Sequence, residues 1–232
     1  MNNEVRVIEL PVNTMNYNSD KASEIKKSIY ENCKRFFDIY VALVGLILLV
    51  PIAIIIKIVY LFNRDNKSIF YKQKRIGKNG EEFDLYKFRT MIPNADEVLE
   101  KILREDKQMA EEYRINKKIK NDPRITKAGK FIRRSSLDEL PQLINILKND
   151  MSFIGNRPYL PKEKIDMGDA YDDIVKTKPG LTGYWQVSGR SDTTFKKRVE
   201  LEKYYSNNYS LKMDIKIFIN TFRVVILKKG AK

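Results

Sequence analysis

The chain has 232 residues, 44 Lys and Arg against 30 Asp and Glu, a formal net charge of +14 and no histidine. This length suits one or two domains with a sizeable core, and the charge favours anionic partners: nucleic acid, an anionic membrane surface or phosphorylated substrates. The absence of histidine excludes imidazole catalysis and histidine metal sites, and the single Cys33 excludes an internal disulfide and a multi-cysteine zinc site.

Residues 1–20 are polar and mixed in charge, unlike a signal peptide, and Val5, Val7 and Ile8 fit a short strand or a tail. Residues 21–38 read as a helix, with Ile25, Ile29, Phe36 and Phe37 set among Lys26, Lys27, Lys34 and Arg35. Cys33 reads as a packed cysteine in preference to a juxtamembrane acylation site. Residues 39–56 carry no charge, a run at the lower limit for a membrane span, but Gly45 and Pro51 interrupt it. Lys34 and Arg35 precede the run and Lys57 and Arg64 follow it, so basic flanks give no orientation for a crossing. They suit a re-entrant segment that enters one leaflet, turns near Pro51 and returns; the alternative is a buried core helix.

Ser68 to Met91 reads as a β-hairpin turning at Asn79-Gly80. Phe83, Leu85, Lys87 and Arg89 share one face of its second strand. Lys87 and Arg89 there fit a phosphate contact or a solvated strand face. Asn94 to Lys118 reads as one amphipathic helix capped by Asn94, with Leu99, Ile102, Leu103, Met109 and Tyr113 as its stripe. Asn121-Asp122-Pro123 is a turn. Residues 152–161 read as a loop holding Arg157 between Asn156 and Pro158. In residues 178–190, Gly180, Gly183 and Gly189 let backbone approach a ligand, Arg190 suits a phosphate, and Trp185 suits either a stacked ring or the core. Residues 211–227 place Ile215, Phe218, Ile219, Phe222 and Ile226 on one helical face, either interfacial or core.

The most informative stretch is FIRRSSLDELPQL, residues 131–143. Arg133 and Arg134 run into Ser135 and Ser136, then the adjacent carboxylates Asp138 and Glu139, then an apolar run. A serine-rich entry marks a helix N-terminus, which attracts anions. Two readings fit. The carboxylates hold or attack a metal-bound phosphate, or Ser136-x-x-Glu139 is only a capping box. Pro141 argues against Ser136 as the N-cap, because it would then remove a helix bond; with Asp138 as N-cap it falls in the tolerant first turn.

Taken together, KRFFD at 34–38, the proline-interrupted apolar segment, QKRIGKNG at 73–80, YKFRTM at 86–91, NDPRITKAGKFIRRSSLDELPQL at 121–143, MSFIGNRP at 151–158 and KPGLTGYWQVSGR at 178–190 resemble the bacterial initiating phosphoglycosyl transferases. These are monotopic polyprenyl-phosphate sugar-phosphate transferases, and the likeness runs from about Lys34 to the C-terminus. It implies an α+β, mainly helical fold: a re-entrant membrane helix hairpin, interfacial amphipathic helices and a small β-hairpin. It divides the chain into a tail and amphipathic helix at 1–33, a re-entrant segment at 34–62 turning at Pro51, and a cytoplasmic, membrane-associated catalytic domain at 63–232.

The resemblance further implies that Asp138 attacks the sugar-bearing phosphate of a UDP-sugar and UMP leaves. Polyprenyl phosphate then takes the phosphosugar, as the first membrane step of exopolysaccharide, capsule or glycoconjugate synthesis. Glu139, with Asp138, holds Mg²⁺; Arg133 and Arg157 bind phosphate or nucleotide, and Lys87 and Arg190 are further candidates. The implied setting is the cytoplasmic face of the bacterial inner membrane, without nucleic acid; downstream glycosyltransferases and a second copy are compatible partners. Two departures stand out. Asn156-Arg157-Pro158 replaces the usual Pro-Arg-Pro, and the chain resembles the short form without further N-terminal spans. WQVSGR looks more like family members that transfer hexose 1-phosphate, a resemblance that implies UDP-galactose or UDP-glucose, with a UDP-N-acetylated sugar as the alternative donor. A non-catalytic basic membrane-anchored binding protein is the reading from a different class.

Overall fold

The computed structural model describes residues 13–189 and 193–226, and the side chains of 24–189 and 193–223. The possible strand at Val5 to Ile8 and the phosphate contact at Arg190 lie outside the described residues.

Helix α1, Asn13–Phe62, is unbroken, with Pro51 inside it. The expected hairpin is not shown. An interior proline removes one helix bond and costs about 3 kcal/mol, but Pro51 lies on the exposed face, and packing fixes the opposite face on both sides of it. Asp38, Ala42, Leu49, Ile56 and Tyr60 are all buried, a spacing of four or seven residues that draws one stripe along the helix. The other face exposes Phe36, Tyr40, Leu43, Ile47, Leu48, Val50, Ile54 and Ile55. Cys33 is exposed, not packed as the sequence suggested.

The KRFFD stretch fastens the helix. Lys34 pairs with Asp214, Arg35 donates to the carbonyls of Ile146 (2.6 Å) and Leu147 (2.9 Å), and Asp38 accepts from the Phe153 N–H (2.7 Å) and Ser152 Oγ (3.1 Å). Phe37 meets Phe153 and Phe218 edge-on.

Strands β1, Phe70–Ile76, and β2, Glu82–Phe88, form the expected antiparallel hairpin, with Phe70 opposite Phe88 and Ile76 opposite Glu82. Asn79 (φ 59) and Gly80 (φ 82) make its turn in the left-handed region. The single helix expected over 94–118 is two, α2 at Ala95–Glu105 and α3 at Lys107–Asn116. Asp106 separates them: its extended backbone ends one helix and its carboxylate caps the next, accepting from the Met109 N–H at 2.9 Å. Asn94 makes no side-chain cap.

Helix α4, Lys127–Arg134, is capped by Thr126 through the Gly129 N–H (2.9 Å). A 3₁₀ turn at Leu137–Glu139 leads into α5, Gln142–Leu147, which packs beneath α1. Strand β3, Ser152–Ile154, lies within the stretch read as a loop. It pairs in parallel with β4, Gly180–Thr182, beyond the short helices α6, Lys164–Met167, and α7, Tyr171–Ile174. Then follow α8, Tyr184–Ser188, α9, Phe195–Asn208, and α10, Leu211–Ile226. The sequence reading missed α9, although the Thr194 cap and the spacing of Phe195, Val199 and Tyr205 mark it.

Two apolar clusters join α1 to the rest. Leu49, Ile56 and Tyr60 pack with Ile69, Phe88 and Ile132; Ala42 packs with Leu85, Leu143, Ile146 and Met151. Helix α10 is both core and surface: Ile217 is buried, while Leu211, Ile215, Ile219 and Phe222 line an exposed apolar stripe beside Lys212, Lys216 and Arg223.

Candidate active site

The carboxylate pair sits on a turn. Ser136 has φ 56 and makes no side-chain cap, so the capping box is absent; Glu139 instead accepts from Lys87 Nζ at 3.0 Å. The Pro141 ring stands at the N-cap position of α5 and cannot disturb its bonds. The Asp138–Glu139 turn thus lies between α4 and α5, both of which are anchored in the clusters shared with α1.

Around it opens a cavity of about 460 Å³. Its walls bring together Lys87, Arg133, Asp138, Glu139 and Arg157, five of the residues singled out from the sequence. Arg133 Nε donates to Thr90 Oγ1 at 2.8 Å, which aims the guanidinium along the end of β2. Burial lowers the Arg133 pKa. Gly129 makes this approach possible, since a Cβ there would stand 2.0 Å from the Thr90 carbonyl oxygen. Arg89, read with Lys87 as a phosphate pair, is instead held bidentate by Asp65 at 2.9 Å on both arms. Pro51 lies on α1, away from the cavity lining.

Arg157 is placed from behind. Its N–H donates to Glu202 Oε1 at 3.0 Å, and the preceding Asn156 is bound into the core through Ser206 (2.5 Å), Thr177 (3.2 Å) and the Ile174 carbonyl (3.3 Å). The asparagine that replaces the usual proline therefore fixes the arginine by hydrogen bonds. Trp185 is a packing residue: it is buried, its Nε1 donates to Thr193, and the guanidinium groups of Arg198 and Arg157 lie 4.4 and 5.7 Å from its ring. Gly180 and Gly183 serve backbone contact rather than a ligand, because a Cβ at either would meet Gly155 at 2.1 or 2.0 Å.

The sequence reading missed Arg75 and Arg198. Both are buried, and burial followed by repulsion from Arg157 lowers each to about 10. Burial raises Glu202 to about 7. Arg75 has a visible sequence signal, since it lies in QKRIGKNG; Arg198 and Glu202 lie in the unread α9.

Burial, and then the charge of Glu139, push the Asp138 carboxyl up to about 6, against the pull of Lys87 and Arg133. A divalent cation would reverse that cost. The donor set suits Mg²⁺, which takes one or two carboxylates and completes its shell with phosphate oxygens and water. Among the described residues no group of three or more His, Cys, Asp and Glu side chains forms a closed metal cage. The arrangement can hold a polyanion against three cationic side chains, with a carboxylate facing it.

The sequence model of the bacterial sugar transferase family matches residues 29–228. The chain is 43% identical over 198 residues to the undecaprenyl-phosphate galactose phosphotransferase of Salmonella typhimurium, covering 85% of this chain and 41% of that relative. It thus spans about two fifths of that protein's length. It is 42% identical over 198 residues to the exopolysaccharide production protein ExoY of Rhizobium meliloti, covering 85% of this chain and 87% of ExoY. It is 35% identical over 208 residues to the UDP-glucose:undecaprenyl-phosphate glucose-1-phosphate transferase of Escherichia coli, covering 84% of this chain and 40% of the relative. The family match sets aside the non-catalytic binding protein, and it spans every residue of the cavity: this chain is an enzyme of the bacterial sugar transferase family.

Proposed function

We propose that the enzyme transfers a sugar 1-phosphate from a UDP-hexose, UDP-galactose or UDP-glucose, to polyprenyl phosphate and releases UMP. The observation that carries this reading is the half-buried Asp138–Glu139 turn facing a cavity walled by Lys87, Arg133 and Arg157. An Asp138 oxygen attacks the phosphorus that bears the sugar, and the bond from that phosphorus to UMP breaks. The electron pair leaves with UMP, and the sugar phosphate stays on the aspartyl oxygen. An oxygen of polyprenyl phosphate then attacks the same phosphorus, returns the carboxylate and yields a polyprenyl diphosphate sugar. Splitting the displacement in two suits a site that meets a soluble donor and a lipid acceptor in turn. Arg133 and Arg157, each fixed by hydrogen bonds to its neighbours, pre-position the diphosphate. Mg²⁺ held by Asp138 and Glu139 would supply charge neutralisation on the phosphoryl oxygens and the departing UMP.

The setting we propose is the cytoplasmic leaflet of the inner membrane. Among the described residues, α1 is the one helix long and apolar enough to cross a bilayer. Its stripe from Asp38 to Tyr60 is docked on the protein, so the opposite apolar face enters one leaflet without a crossing. The exposed stripe of α10, edged by Lys212, Lys216 and Arg223, is a second interfacial face.

The experiment is a burst assay with membrane-embedded enzyme and UDP-hexose. UMP is expected in an amount near the enzyme concentration before any polyprenyl phosphate is added, and a labelled phosphosugar on the Asp138 peptide. Asp138→Asn is expected to bind UDP-hexose and release no UMP. First turnover that waits for lipid, with no labelled peptide, would sink the covalent assignment.

A further inference from the structure

Helix α9 buries a stripe that is not apolar. Arg198, Glu202 and Ser206 follow one another at every fourth residue of it, and they are 4%, 1% and 5% exposed. Side chains at that spacing lie one above another. A buried helix face is normally apolar, because every buried polar group has to find a partner. Two of these three find theirs on a single dipeptide. Ser206 Oγ accepts from the Asn156 side-chain amide at 2.5 Å, and Glu202 Oε1 accepts from the Arg157 N–H at 3.0 Å. Arg198 backs the same arginine through a ring: its guanidinium lies 4.4 Å from the centre of Trp185, and that of Arg157 lies 5.7 Å from it. Bonds from β1 and β4 complete the clamp. Arg75 Nη1 donates to the Pro158 carbonyl at 2.9 Å, and the Gly180 N–H donates to the Asn156 carbonyl at 2.7 Å.

The Glu202 contact is the costliest of these to keep. Burial pushes that carboxyl up to about 7, and its Oε2 has no hydrogen-bond partner among the described residues. Packing alone needs no acid at such a place. What Glu202 does hold is the backbone of Arg157, which is half-buried and lines the cavity with Asp138 and Glu139. Whatever fixes that backbone fixes where the guanidinium meets a ligand, and a misplacement of about 1 Å at a substrate-positioning group can cost on the order of 100-fold. We propose that Glu202 and Ser206 are positioning residues for Arg157. Helix α9, which contributes no residue to the cavity wall, thereby sets how tightly the diphosphate of the donor is held. This rests on the transferase reading and adds to it the element that aims its arginine.

The test reads KM for UDP-glucose and UDP-galactose from initial rates of UMP release at saturating polyprenyl phosphate. Glu202→Leu removes the acceptor and is expected to raise KM by about tenfold or more; Ser206→Ala is expected to raise it by about threefold. Glu202→Gln keeps an oxygen for the Arg157 N–H and is expected to stay within about twofold of the wild type. A fold defect lowers the amount of working enzyme, and with it the apparent kcat, but leaves KM where it was, so the split between them separates positioning from stability. In an Arg157→Ala background, which itself raises KM, Glu202→Leu and Ser206→Ala are each expected to change KM by less than about twofold, because the group they position is gone. Variants at 202 and 206 that leave KM unchanged, or raise it equally with and without Arg157, overturn the proposal. So does an Arg157→Ala enzyme with unchanged KM, or a Glu202→Gln enzyme as impaired as Glu202→Leu. If Glu202→Leu yields no folded protein, Ser206→Ala and its non-additivity with Arg157→Ala decide. A wild type that releases UMP from no UDP-sugar overturns the transferase reading instead.

Discussion

At Asp138 two demands oppose one another. The nucleophile proposed here must be charged, while a half-buried turn beside a second carboxylate favours the neutral acid. The outcome is a carboxyl raised from 3.8 to about 6. The sign of the stability effect follows. Below the unfolded value near 3.8 both states are protonated and nothing is lost; as pH rises through about 6, ionisation in the fold costs more than in the unfolded chain. Metal-free Asp138→Asn is therefore expected to be more stable than the wild type above pH 6, by up to about 3 kcal/mol, with the gap closing below pH 4. Unfolding curves at pH 4 and pH 8 check this, and a gap that grows at low pH contradicts it. Much of this site was legible at the residue level: the ordered motifs marked Asp138, Glu139, Arg133, Arg157 and Lys87, and one cavity gathers all five. What was not legible was pairing. Nothing in the order of residues says that Arg89 is held by Asp65 while Lys87 reaches Glu139, because those choices depend on how β2 meets α1 and the dyad turn.

Among the elements, α4 shows how little room the site leaves. Its Gly129 lies against the Thr90 carbonyl, and Thr90 in turn receives Arg133. Gly129→Ala adds a methyl group where backbone already stands, so α4 must shift and carry Arg133 with it. The expected loss is about tenfold or more in kcat/KM, from a residue that never touches substrate. It should come with a stability loss of about 1–3 kcal/mol. Turnover at wild-type level would show that Arg133 does not depend on this contact. The hairpin and α10 were readable because each carries a local signal, Asn79-Gly80 and an apolar stripe; α4 went unread although Thr126 caps it. The break at Asp106 and the strands β3 and β4 were not readable. A capping aspartate inside a continuous stripe competes with the helix pattern, and three-residue parallel strands joined across residues 155–179 leave almost no periodic trace.

For the molecule as a whole, the long apolar helix α1 and the elements that hold the carboxylate pair share a core. Cysteines placed at Lys34 and Arg64 are expected to be shielded alike from an outside reagent in intact cells, since both ends of the docked stripe rest on one body. Labelling at only one of them would mean that α1 crosses. The uncharged run and its basic flanks were plain in the sequence, and the run lies within one long apolar helix. The turn expected at Pro51 is not shown: α1 runs on as one helix through the proline, which lies on its exposed face. Arg35 supplies the last consequence. It clasps the C-terminal carbonyls of α5, the helix that begins just past the dyad, so the apolar face of α1 and Asp138 are joined through two packed helices and no tether. In the proposed membrane setting the height of Asp138 above the lipid would then be a constant of the fold. With the acceptor proposed above, encounter would be by lateral diffusion at that fixed depth, and the concentration governing turnover would be an areal one, moles of acceptor per area of membrane.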